Sequence, residues 1–331
     1  MLSRDLGGIQ QAFVDYSDAL KMQNHKVMNI SSLGAKINGH INSNFKLPNL
    51  GSFCFISKLF LKLLILVYKP DIVICHGNRA IIFTKAFNTD LTKIVGVAHN
   101  YSYKYLKKCD YILTLTNRLK NHLIQHGIPA GKLLQFSNMV RIENHYEARP
   151  FHSPITIGTF GRFVEKKGFI YLIDSISILI KKGYYVNLHI GGAGKEAEKL
   201  KNRTRELGLE QIVFFDGWIH DKKSFFNKID IFCLPSIQEP FGIILLEAMQ
   251  YSKPIVATKS GGPEELLIHG REGLIADIAS SEELALNLEK LIKDQNFSMS
   301  LSKNAYDKLK EDYDIKILSE KLSAALINIV K

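Results

Sequence analysis

The sequence predicts an α/β protein of two Rossmann-like, doubly wound parallel-sheet domains. Short apolar runs that suit buried strands alternate with helical stretches along the chain, and this alternation is typical of parallel sheets with helices on both faces. A chain of 331 residues is too long for one compact core and suits two domains. The polar stretch RIENHYEARPFHSP, at 141–154, interrupts the alternation and is typical of an interdomain linker.

The predicted strands are short runs rich in Ile and Val, as expected of strands covered on both faces. They are DIVICH (71–76), KIVGVAHN (93–100), YILTLT (111–116), ITIGTFGR, VNLHIGG, IVFFDGW, IDIFCLPS and PIVAT. We expect a first domain at 1–150, a second domain at 151–312 and a C-terminal helix at 313–331 that packs back on the first domain. In open parallel sheets the ligand lies beyond the carboxyl ends of the strands, and the candidate site residues fall there.

The cysteine pattern and the apolar segments predict a cytosolic protein. The four cysteines are scattered without CxxC spacing or a nearby histidine cluster, which favours free thiols in a reducing compartment over structural zinc. The first residues, MLSRDLGGIQQ, turn polar at once and form no signal-peptide pattern. The longest apolar segment, 53–68, is too short to span a bilayer and carries Lys58 and Lys62.

The net charge of +11 is confined to the first half of the chain. Lys and Arg outnumber Asp and Glu by 19 to 8 in residues 1–150, whereas each group numbers 24 in residues 151–331. A solvated surface explains this excess, and so does a face directed at an anionic partner such as nucleic acid or a membrane. Aromatic and basic residues form no recognisable nucleic-acid-binding module, so we expect no nucleic-acid partner.

The segment FISKLFLKLLILVYK, at 55–69, offers one way to reach a membrane. It places Lys58 and Lys62 one helical turn apart among bulky apolar residues. Such a helix suits the surface of an anionic bilayer with its apolar side inserted, although packing on a sheet is the commoner fate of a helix at this point. The sequence leaves both interpretations open.

Two clusters in the first half of the chain suit a site but also have structural explanations. In DLGGIQQAF, Gly7 and Gly8 precede a helix whose amides suit a phosphate or a sugar, although paired glycines are often only a tight turn. His76 in VICHGN and His99 in VAHNY each end a predicted strand. Lone histidines of this kind are commonly core residues, but Asn100 and the tyrosines after it favour an open site around His99.

A third cluster, GRFVEKKGF at 161–169, joins a strand end to the start of a helix. It carries Arg162, Lys167 and Gly168. A cation pair there suits a diphosphate, at about 1.5–3 kcal/mol for each charge-assisted hydrogen bond. A solvated basic helix start is the alternative, but cations oppose the positive end of a helix dipole.

Glu247 is the charged residue in the apolar run 243–249, which is predicted to form a buried helix. A buried, unpaired carboxylate is unfavourable, so either an internal cation or the hydroxyls of a ligand must meet it. Four residues of helix rise roughly 6 Å, about the distance from a nucleotide's phosphates to its ribose. A carboxylate one turn beyond Ile243 is therefore placed to accept hydrogen bonds from ribose hydroxyls.

The start of this helix suits an anion. Pro240 favours a helix start, and Gly242 suits the position just before the first turn. The amides that such a start directs towards an anion are those of Phe241, Gly242 and Ile243. Glu239 would stand on the far side of the phosphates, where a transferred group lies. A helix cap and an internal salt bridge are the structural alternatives for the two glutamates.

Taken together, these motifs resemble the retaining GT-B glycosyltransferases of glycosyltransferase family 4, group 1. That family includes phosphatidylinositol mannosyltransferases, bacterial lipopolysaccharide and capsule glycosyltransferases and sucrose synthases. The most specific likeness is the E-x(7)-E signature from Glu239 to Glu247 in EPFGIILLEAM. Further matching stretches are GGIQQAF, GRFVEKKG, HIGGAGKEAEKLKNRTRELGLEQIVFFDGW, KPIVATKSGGPEEL and GREGLIAD. The resemblance implies two domains facing across a cleft, the first for the acceptor and the second for the nucleotide sugar.

The resemblance also implies roles for the catalytic residues. Arg162 and Lys167 would hold the diphosphate of the donor. Glu247 would hold the ribose and Glu239 the donor sugar, which His99 approaches from the acceptor side. The main chain near Trp218 and Ile219 would meet the base. The donor-binding positions implied in addition to Glu247 are Gly8, Gly161, Gly168, Trp218, Ile219, Phe241, Gly242 and Ile243.

The activity implied by the resemblance is transfer of a sugar from a nucleoside diphosphate sugar to a hydroxyl acceptor with retention of anomeric configuration. Front-face attack is the expected route, without a cofactor and, since no DxD motif lies at a matching position, without a metal. The expected setting is cell-surface polysaccharide, lipopolysaccharide or glycolipid synthesis. The acceptor would be lipid-linked or a saccharide, and the enzyme would be cytoplasmic or peripheral on the inner face of the cytoplasmic membrane.

The chain departs from this family at its start. Members begin with an apolar strand before the glycine loop, whereas Met1 stands only six residues before Gly7, so the first strand is expected to be short or missing. Two alternatives to an active transferase remain from the sequence. They are a catalytically impaired nucleotide-binding relative with a truncated N-terminus and a sugar-nucleotide epimerase of similar fold.

Overall fold

The computed structural model of the protein describes residues 7–41, 44–48, 54–85 and 92–330. The chain divides into two compact units, one formed by Met1–Arg141 with Asp312–Lys331 and the other by Ile142–Glu311. In each unit, parallel strands and helices alternate along the chain. The predicted α/β class with parallel sheets is therefore confirmed.

The first described element of the first unit is a helix, and short strands follow it. Its elements are α1 (Gly8–Met22), β1 (Asn29–Ser32), β2 (Asn44–Leu47), α2 (Phe55–Tyr68), β3 (Ile72–His76), α3 (Asn78–Lys85), β4 (Lys93–Ala98), β5 (Tyr111–Thr114), α4 (Asn117–Gln125) and β6 (Leu133–Gln135). Strands β3, β4, β5 and β6 form a parallel sheet in that order, and β1 pairs with β2 in a separate parallel sheet. The turns after β3 and β4 lie side by side because these strands are neighbours.

The second unit is a doubly wound domain. Its elements are β7 (Ile155–Phe160), α5 (Phe169–Lys181), β8 (Val186–Gly191), α6 (Ala197–Glu206), β9 (Val213–Gly217), α7 (Lys222–Lys228), β10 (Ile231–Leu234), α8 (Ile243–Gln250), β11 (Ile255–Thr258), α9 (Pro263–Leu266), β12 (Leu274–Ala276), α10 (Ser281–Lys293) and α11 (Gln295–Asp312). The strands form one parallel sheet of order β12-β11-β10-β7-β8-β9. The winding direction reverses between β7 and β10, and at such a switch point open sheets bind ligands beyond the carboxyl ends of their strands.

The core of the second unit lies between its sheet and the helices α5 and α10. Every residue of β10 is buried, as a parallel strand covered on both faces requires. Along α5, Leu172, Ile176 and Leu179 recur at helical spacing and are buried in one apolar cluster with Leu284 and Leu288 of α10. This core fixes the strands and therefore the turns at their carboxyl ends.

The last helix, α12 (Ile315–Val330), belongs to the first unit. The amide of Ile315 donates to the carbonyl oxygen of Val140 at 2.9 Å, and the helix packs on α1. Gln23 Nε2, just after α1, donates to Ser319 Oγ at 2.9 Å. The C-terminal helix therefore packs back on the first unit.

Four strands go beyond the sequence prediction, namely β1, β2, β6 and β12. Polar residues break the apolar pattern in β1 (NISS), β2 (NFKL) and β6 (LLQ), and β12 (LIA) has only three residues. The prediction of a short or missing first strand concerns residues 1–6, which lie outside the described residues. Within the described ranges, no helix combines the length and the apolar character needed to cross a membrane.

Gly158, in the middle of β7, provides a test of the packing around this central strand. A Cβ at Gly158 would lie 2.5 Å from Cγ2 of Ile229, and pairing with β8 and β10 prevents the strand from moving away. We expect Gly158→Ala to lower the free energy of unfolding by about 1–3 kcal/mol. Urea unfolding followed by Trp218 fluorescence measures this, because the single tryptophan lies in the second unit.

Gly131→Ala is the control for this prediction. Its Cβ would stand in open space in the first unit, so the transition reported by Trp218 should not change. Equal urea midpoints for wild type and Gly158→Ala would contradict the close packing of β7.

Candidate functional site

The turns after β7 and β10 meet at the switch point of the second unit. The amides of Ile237 and Gln238 donate to the carbonyl oxygen of Lys166 at 2.8 and 3.2 Å. Gly168 caps α5 with a φ of 65°, and a Cβ there would overlap the carbonyl oxygen of Pro235. Both the left-handed backbone and the close approach require glycine. Residues predicted from two separate motifs are thereby brought together.

Lys167 and Glu239 form an ion pair across these two turns. Lys167 Nζ donates to Glu239 Oε2 at 2.5 Å, and Ser236 Oγ donates to the same oxygen at 3.4 Å. The Glu239 side chain is only 12% exposed, so the lysine compensates a carboxylate that is largely withdrawn from water. The main chain of Glu239 is fixed as well, because its amide donates to Ser260 and its carbonyl oxygen accepts from the Gly262 amide.

Two further cations stand beside this pair. Arg162 and Lys166 are exposed, and within the described part of the chain neither side chain forms an ion pair or a hydrogen bond. Partial burial lowers the pKa of Lys166, and the positive charges of Arg162 and Lys167 lower it further. Three cations are thus grouped near one carboxylate that only Lys167 contacts, and the net positive charge of the group suits a diphosphate.

Helix α8 starts at the same edge of the sheet. Gly242 caps it with a φ of 94°, and no described group accepts a hydrogen bond from the amides of Gly242 and Ile243. Leu245 and Leu246, in the first turn, are fully buried and hold the helix in place. The start of α8 therefore adds two amide donors and the positive end of a helix dipole to the neighbouring cations.

Glu247 lies one turn further along α8 and meets a lysine from α7. Lys222 Nζ donates to Glu247 Oε1 at 2.8 Å, and the Glu247 side chain is 14% exposed. An internal cation is thus one partner of this carboxylate, as one interpretation of the sequence required. Among the described residues no group donates to Oε2 of Glu247 or to Oε1 of Glu239. Each glutamate therefore binds a lysine through one oxygen and leaves the other for a ligand.

Trp218 and Ile219, the residues predicted to meet a base, follow the carboxyl end of β9 and lie beside the end of β8. The side chain of Ile219 covers Gly191 so closely that a Cβ on this glycine would overlap it. Gly192, with a φ of 137°, packs against the carbonyl oxygen of Gly161 in the same way. Trp218 is 42% exposed beside them. This side of the switch point therefore presents apolar side chains next to the main chain of glycines, which have no side chain to cover it.

The two predicted imidazoles meet in the first unit. His76 ends β3, His99 follows β4, and His76 Nδ1 lies 3.0 Å from His99 Nε2 with the rings stacked. Burial lowers the pKa of His99 to about 4, and burial together with the neighbouring His99 lowers that of His76 well below its usual value. Both rings are therefore neutral near pH 7, and one donates to the other. His76 is a buried core histidine, whereas His99 is half-buried, and its contact with a ligand stays a prediction.

The predicted glycine loop leads into α1. Gly7 caps the helix, Gly8 begins it, and the Gly7 carbonyl oxygen accepts from the amides of Gln10 and Gln11 at 3.0 and 3.1 Å. The first turn carries no acidic side chain. This start has the form of a tight helical turn, and binding of a ligand by Gly8 stays a prediction.

Sequence reasoning overlooked Lys166 and Lys222. Lys166 precedes Lys167 in EKKG, and a resemblance that assigns one of two adjacent lysines gives no reason to examine the other. Lys222 lies 25 positions before Glu247 and on another helix, so no local spacing connects the two. The basic start DKKSF was the only sign of it.

The sequence led us to expect that the protein needs neither a metal nor a cofactor. In the ranges that the structure describes, no three His, Cys, Asp or Glu side chains are grouped to hold a metal ion. Independence of metals and cofactors stays a prediction.

A switch point flanked by cations, a helix N-terminus and half-buried glutamates is typical of α/β proteins that bind nucleotides at the carboxyl edge of a parallel sheet. The sequence profile of the family "Glycosyl transferases group 1" matches residues 140–308, just over half of the chain. The chain belongs to this glycosyltransferase family. The predicted membership of group 1 is therefore confirmed.

Similar proteins include bacterial glycosyltransferases of known sequence and structure. The lipopolysaccharide core biosynthesis glycosyltransferase LpsE of Rhizobium meliloti is 33% identical over 160 residues, 48% of this chain and 46% of that protein. The chain thus spans about half the length of this relative. An uncharacterized glycosyltransferase of Haemophilus influenzae is 28% identical over 346 aligned positions, which cover 95% of both proteins.

A solved structure shares the fold over almost the whole chain. It is the crystal structure of Anabaena HepE in complex with UDP and glucose, which superposes with a TM-score of 0.84 at 21% identity. The superposition covers 98% of this chain and 97% of that one. The predicted GT-B fold class is confirmed by this likeness.

The neutral histidine pair predicts a loss of stability in acid. His99 has a pKa of about 4 in the folded chain and about 6.5 in the unfolded chain. At pH values between these two, the imidazole is protonated in the unfolded chain and neutral in the folded chain. The free energy of unfolding should therefore fall as the pH decreases from 6.5 to 4, by about 3 kcal/mol for this group. Urea midpoints measured by circular dichroism across this range test the prediction.

Replacement variants isolate the contribution of His99. His99→Gln should make the fall in stability with decreasing pH shallower, because it removes a titrating group. His40→Gln, at an exposed position, is the matched control and should keep the wild-type slope. A wild-type slope in His99→Gln would show that the pair does not resist protonation.

Proposed function

We propose that this chain transfers a sugar from a nucleoside diphosphate sugar to a hydroxyl acceptor with retention of anomeric configuration. The observation that carries the proposal is the group of Arg162, Lys166 and Lys167 beside Glu239, just before the start of α8, in a member of a glycosyltransferase family. Three cations and a helix N-terminus match the charge of a diphosphate. They also favour its departure, since negative charge grows on it as the sugar leaves.

The rest of the donor is proposed to extend from the diphosphate in two directions. Glu247 lies about 6 Å along α8, and its open oxygen accepts hydrogen bonds from the ribose hydroxyls. Glu239, held by Lys167, directs its open oxygen at hydroxyls of the sugar. The base lies against the main chain near Trp218 and Ile219. Because the Anabaena structure contains UDP and glucose, uridine is the first base to test.

The transfer is proposed to be a front-face substitution. The bond between the anomeric carbon and the diphosphate oxygen breaks, and the acceptor oxygen bonds to the same face of that carbon. The proton of the acceptor hydroxyl passes to an oxygen of the leaving diphosphate. Arg162 and Lys167 stabilise the growing charge more strongly in the transition state than in the bound donor. His99, neutral near pH 7, hydrogen-bonds the sugar from the acceptor side.

We place the reaction in lipopolysaccharide, capsule or glycolipid synthesis, with a saccharide or lipid-linked acceptor. The support is the Rhizobium relative, which is named for lipopolysaccharide core biosynthesis. The alternative of a sugar-nucleotide epimerase is disfavoured because the family matched is one of glycosyl transferases. A catalytically impaired relative is disfavoured because both glutamates and their lysines are kept in place.

Glu247→Gln tests the donor site without changing the size of the side chain. It removes the negative charge that accepts from the ribose, so donor affinity should fall about ten- to hundredfold, the range for a hydrogen bond to a charged group. A calorimetric screen of nucleotide sugars, followed by mass spectrometry of the products, measures both binding and transfer. Glu282→Gln, on the exposed side of α10, is the control. Unchanged donor affinity in a folded Glu247→Gln protein would overturn this role.

Arg162→Ala tests the stabilisation of the leaving group. Loss of one donor to a developing oxyanion should reduce kcat by about two to three powers of ten, equivalent to roughly 2.7–4 kcal/mol. The single-turnover rate at saturating donor separates this effect from weaker binding. A variant that turns over normally at saturation would exclude the role.

Peripheral association with an anionic membrane is a second proposal, and helix α2 supports it. One side of α2 is buried in the first unit through Leu61, Leu64 and Ile65. The large apolar side chains exposed elsewhere on the helix are Phe55, Ile56, Leu59, Phe60, Leu63, Leu66, Val67 and Tyr68. The helix therefore packs on its unit and also presents an apolar surface, so the two interpretations of the segment are compatible.

The charge of this segment fits an anionic bilayer. The helix contains Lys58 and Lys62 and no acidic residue, and Lys69 follows it. Exposed apolar patches of this size mark interaction sites, and each lysine near an anionic surface adds about 1 kcal/mol of attraction. Through this surface the enzyme would reach lipid-linked acceptors at the inner face of the cytoplasmic membrane.

Sedimentation with liposomes tests the membrane proposal. The protein should pellet with vesicles that contain anionic lipid, and less so at high salt, because salt screens the lysines. Phe60→Ser/Val67→Ser should abolish pelleting, whereas Tyr185→Ser, at an exposed aromatic residue of the second unit, should not. If the protein stays in the supernatant at every lipid composition, the membrane proposal is wrong. The basic half is then a solvated surface, and the acceptor is not bound to a membrane.

A further inference from the structure

The lysine that meets Glu247 comes from outside the residues proposed to hold the donor. Lys222 begins α7, and its Nζ donates to Glu247 Oε1 at 2.8 Å. Asp221 caps the same helix by accepting from the amide of Ser224 at 3.0 Å. The cap fixes the start of α7 and therefore the backbone of Lys222.

An aromatic stack joins α7 to the end of α8. Phe226 is fully buried and stacks on Tyr251, with ring centroids 4.7 Å apart and planes inclined by 15°. The amide of Tyr251 in turn donates to the carbonyl oxygen of Glu247 at 3.2 Å. The separation of Lys222 and Glu247 is therefore set by the packing of two helices and not by two flexible side chains alone.

The ion pair orders a carboxylate that still has binding capacity. Ala248 and Leu246, the neighbours of Glu247, are fully buried, so the backbone below the carboxylate is rigid. Lys222 occupies Oε1, and no described group donates to Oε2. Because a side chain that is already ordered loses little rotamer entropy when a ligand arrives, this carboxylate can bind a hydroxyl at small cost.

We propose that Lys222 is a positioning residue: it holds Glu247 so that the second carboxylate oxygen meets the ribose hydroxyls, and it thereby selects ribonucleotide over deoxyribonucleotide donors. This inference rests on the proposed function, in which Glu247 contacts the ribose. A site built around hydroxyl groups discriminates strongly against analogues that lack them, because its own polar groups are then left unpaired. Lys222 itself acts through Glu247 and touches no part of the donor.

An opposing account makes a prediction of opposite sign. If Lys222 filled the place of the ribose and had to leave when the donor binds, its removal would tighten nucleotide binding. The positioning role instead requires that removal of Lys222 weaken the binding of ribonucleotides and leave deoxyribonucleotides nearly unaffected.

Isothermal titration calorimetry on the full chain distinguishes these accounts. UDP, GDP and ADP are titrated first, and the tightest binder is compared with its 2′-deoxy and 3′-deoxy analogues. Wild type should prefer the ribonucleotide by about ten- to hundredfold, as expected for hydrogen bonds to a charged group. Lys222→Met keeps most of the apolar stem, removes the charge and should reduce this preference about tenfold.

Matched variants make the readout specific to Glu247. Lys223→Met changes the adjacent exposed lysine, for which the described residues provide no ion pair, and should keep the wild-type preference. Lys222→Arg retains a cation and should keep most of the preference for the ribonucleotide that Lys222→Met loses. In a Glu247→Gln background Lys222→Met should change nothing further, because a residue that acts through another has no effect once that other is disabled.

The outcomes separate this inference from the proposed function. Wild-type preference in folded Lys222→Met, tighter binding by it, or additive losses in the double variant would each overturn the positioning role alone. A wild type without affinity for any nucleoside diphosphate would overturn the proposed function together with it. If melting curves show Lys222→Met to be unfolded, Lys222→Gln replaces it with the same expected loss of preference.

Discussion

The site depends on the pairing of two half-buried carboxylates with lysines from neighbouring turns. Glu239 and Glu247 are 12% and 14% exposed, and a carboxylate so far from water needs a cation or hydrogen-bond donors beside it. Lys167 and Lys222 supply that charge, each at a single oxygen. The arrangement leaves two acceptor oxygens ordered and unoccupied by the described residues. Structural ion pairs and ligand contacts are therefore compatible functions of the same side chains.

The topology of the second unit brings Lys167 next to Glu239. Because the winding reverses between β7 and β10, turns distant in sequence lie side by side. Gly168 allows the two backbones to touch, and the Lys166 carbonyl oxygen joins them through two amides. The same contact gathers cations next to the start of α8. Close backbone packing and a concentrated positive charge are thus two results of one strand order.

Much of this arrangement could be predicted from the sequence. Strands β3 to β5 and β7 to β11 were recognisable because each is rich in Ile, Val, Leu or Phe, which strands favour. By contrast, β1 reads NISS and has no such pattern. The E-x(7)-E spacing identified both glutamates, but it contains no information on their cations. Lys222 meets Glu247 where α7 packs on the end of α8 through the stack of Phe226 on Tyr251, and that packing is a property of the folded chain.

The most direct measurement of the central claim is a crystal structure of the wild-type protein with an intact nucleoside diphosphate sugar, obtained at a concentration that saturates binding. The account predicts Lys167 and Lys222 on the oxygens they occupy without ligand, Glu247 Oε2 on a ribose hydroxyl and Glu239 Oε1 on a hydroxyl of the sugar. The diphosphate would lie between Arg162 and the start of α8. A diphosphate bound elsewhere, or a donor that meets neither open oxygen, would contradict it.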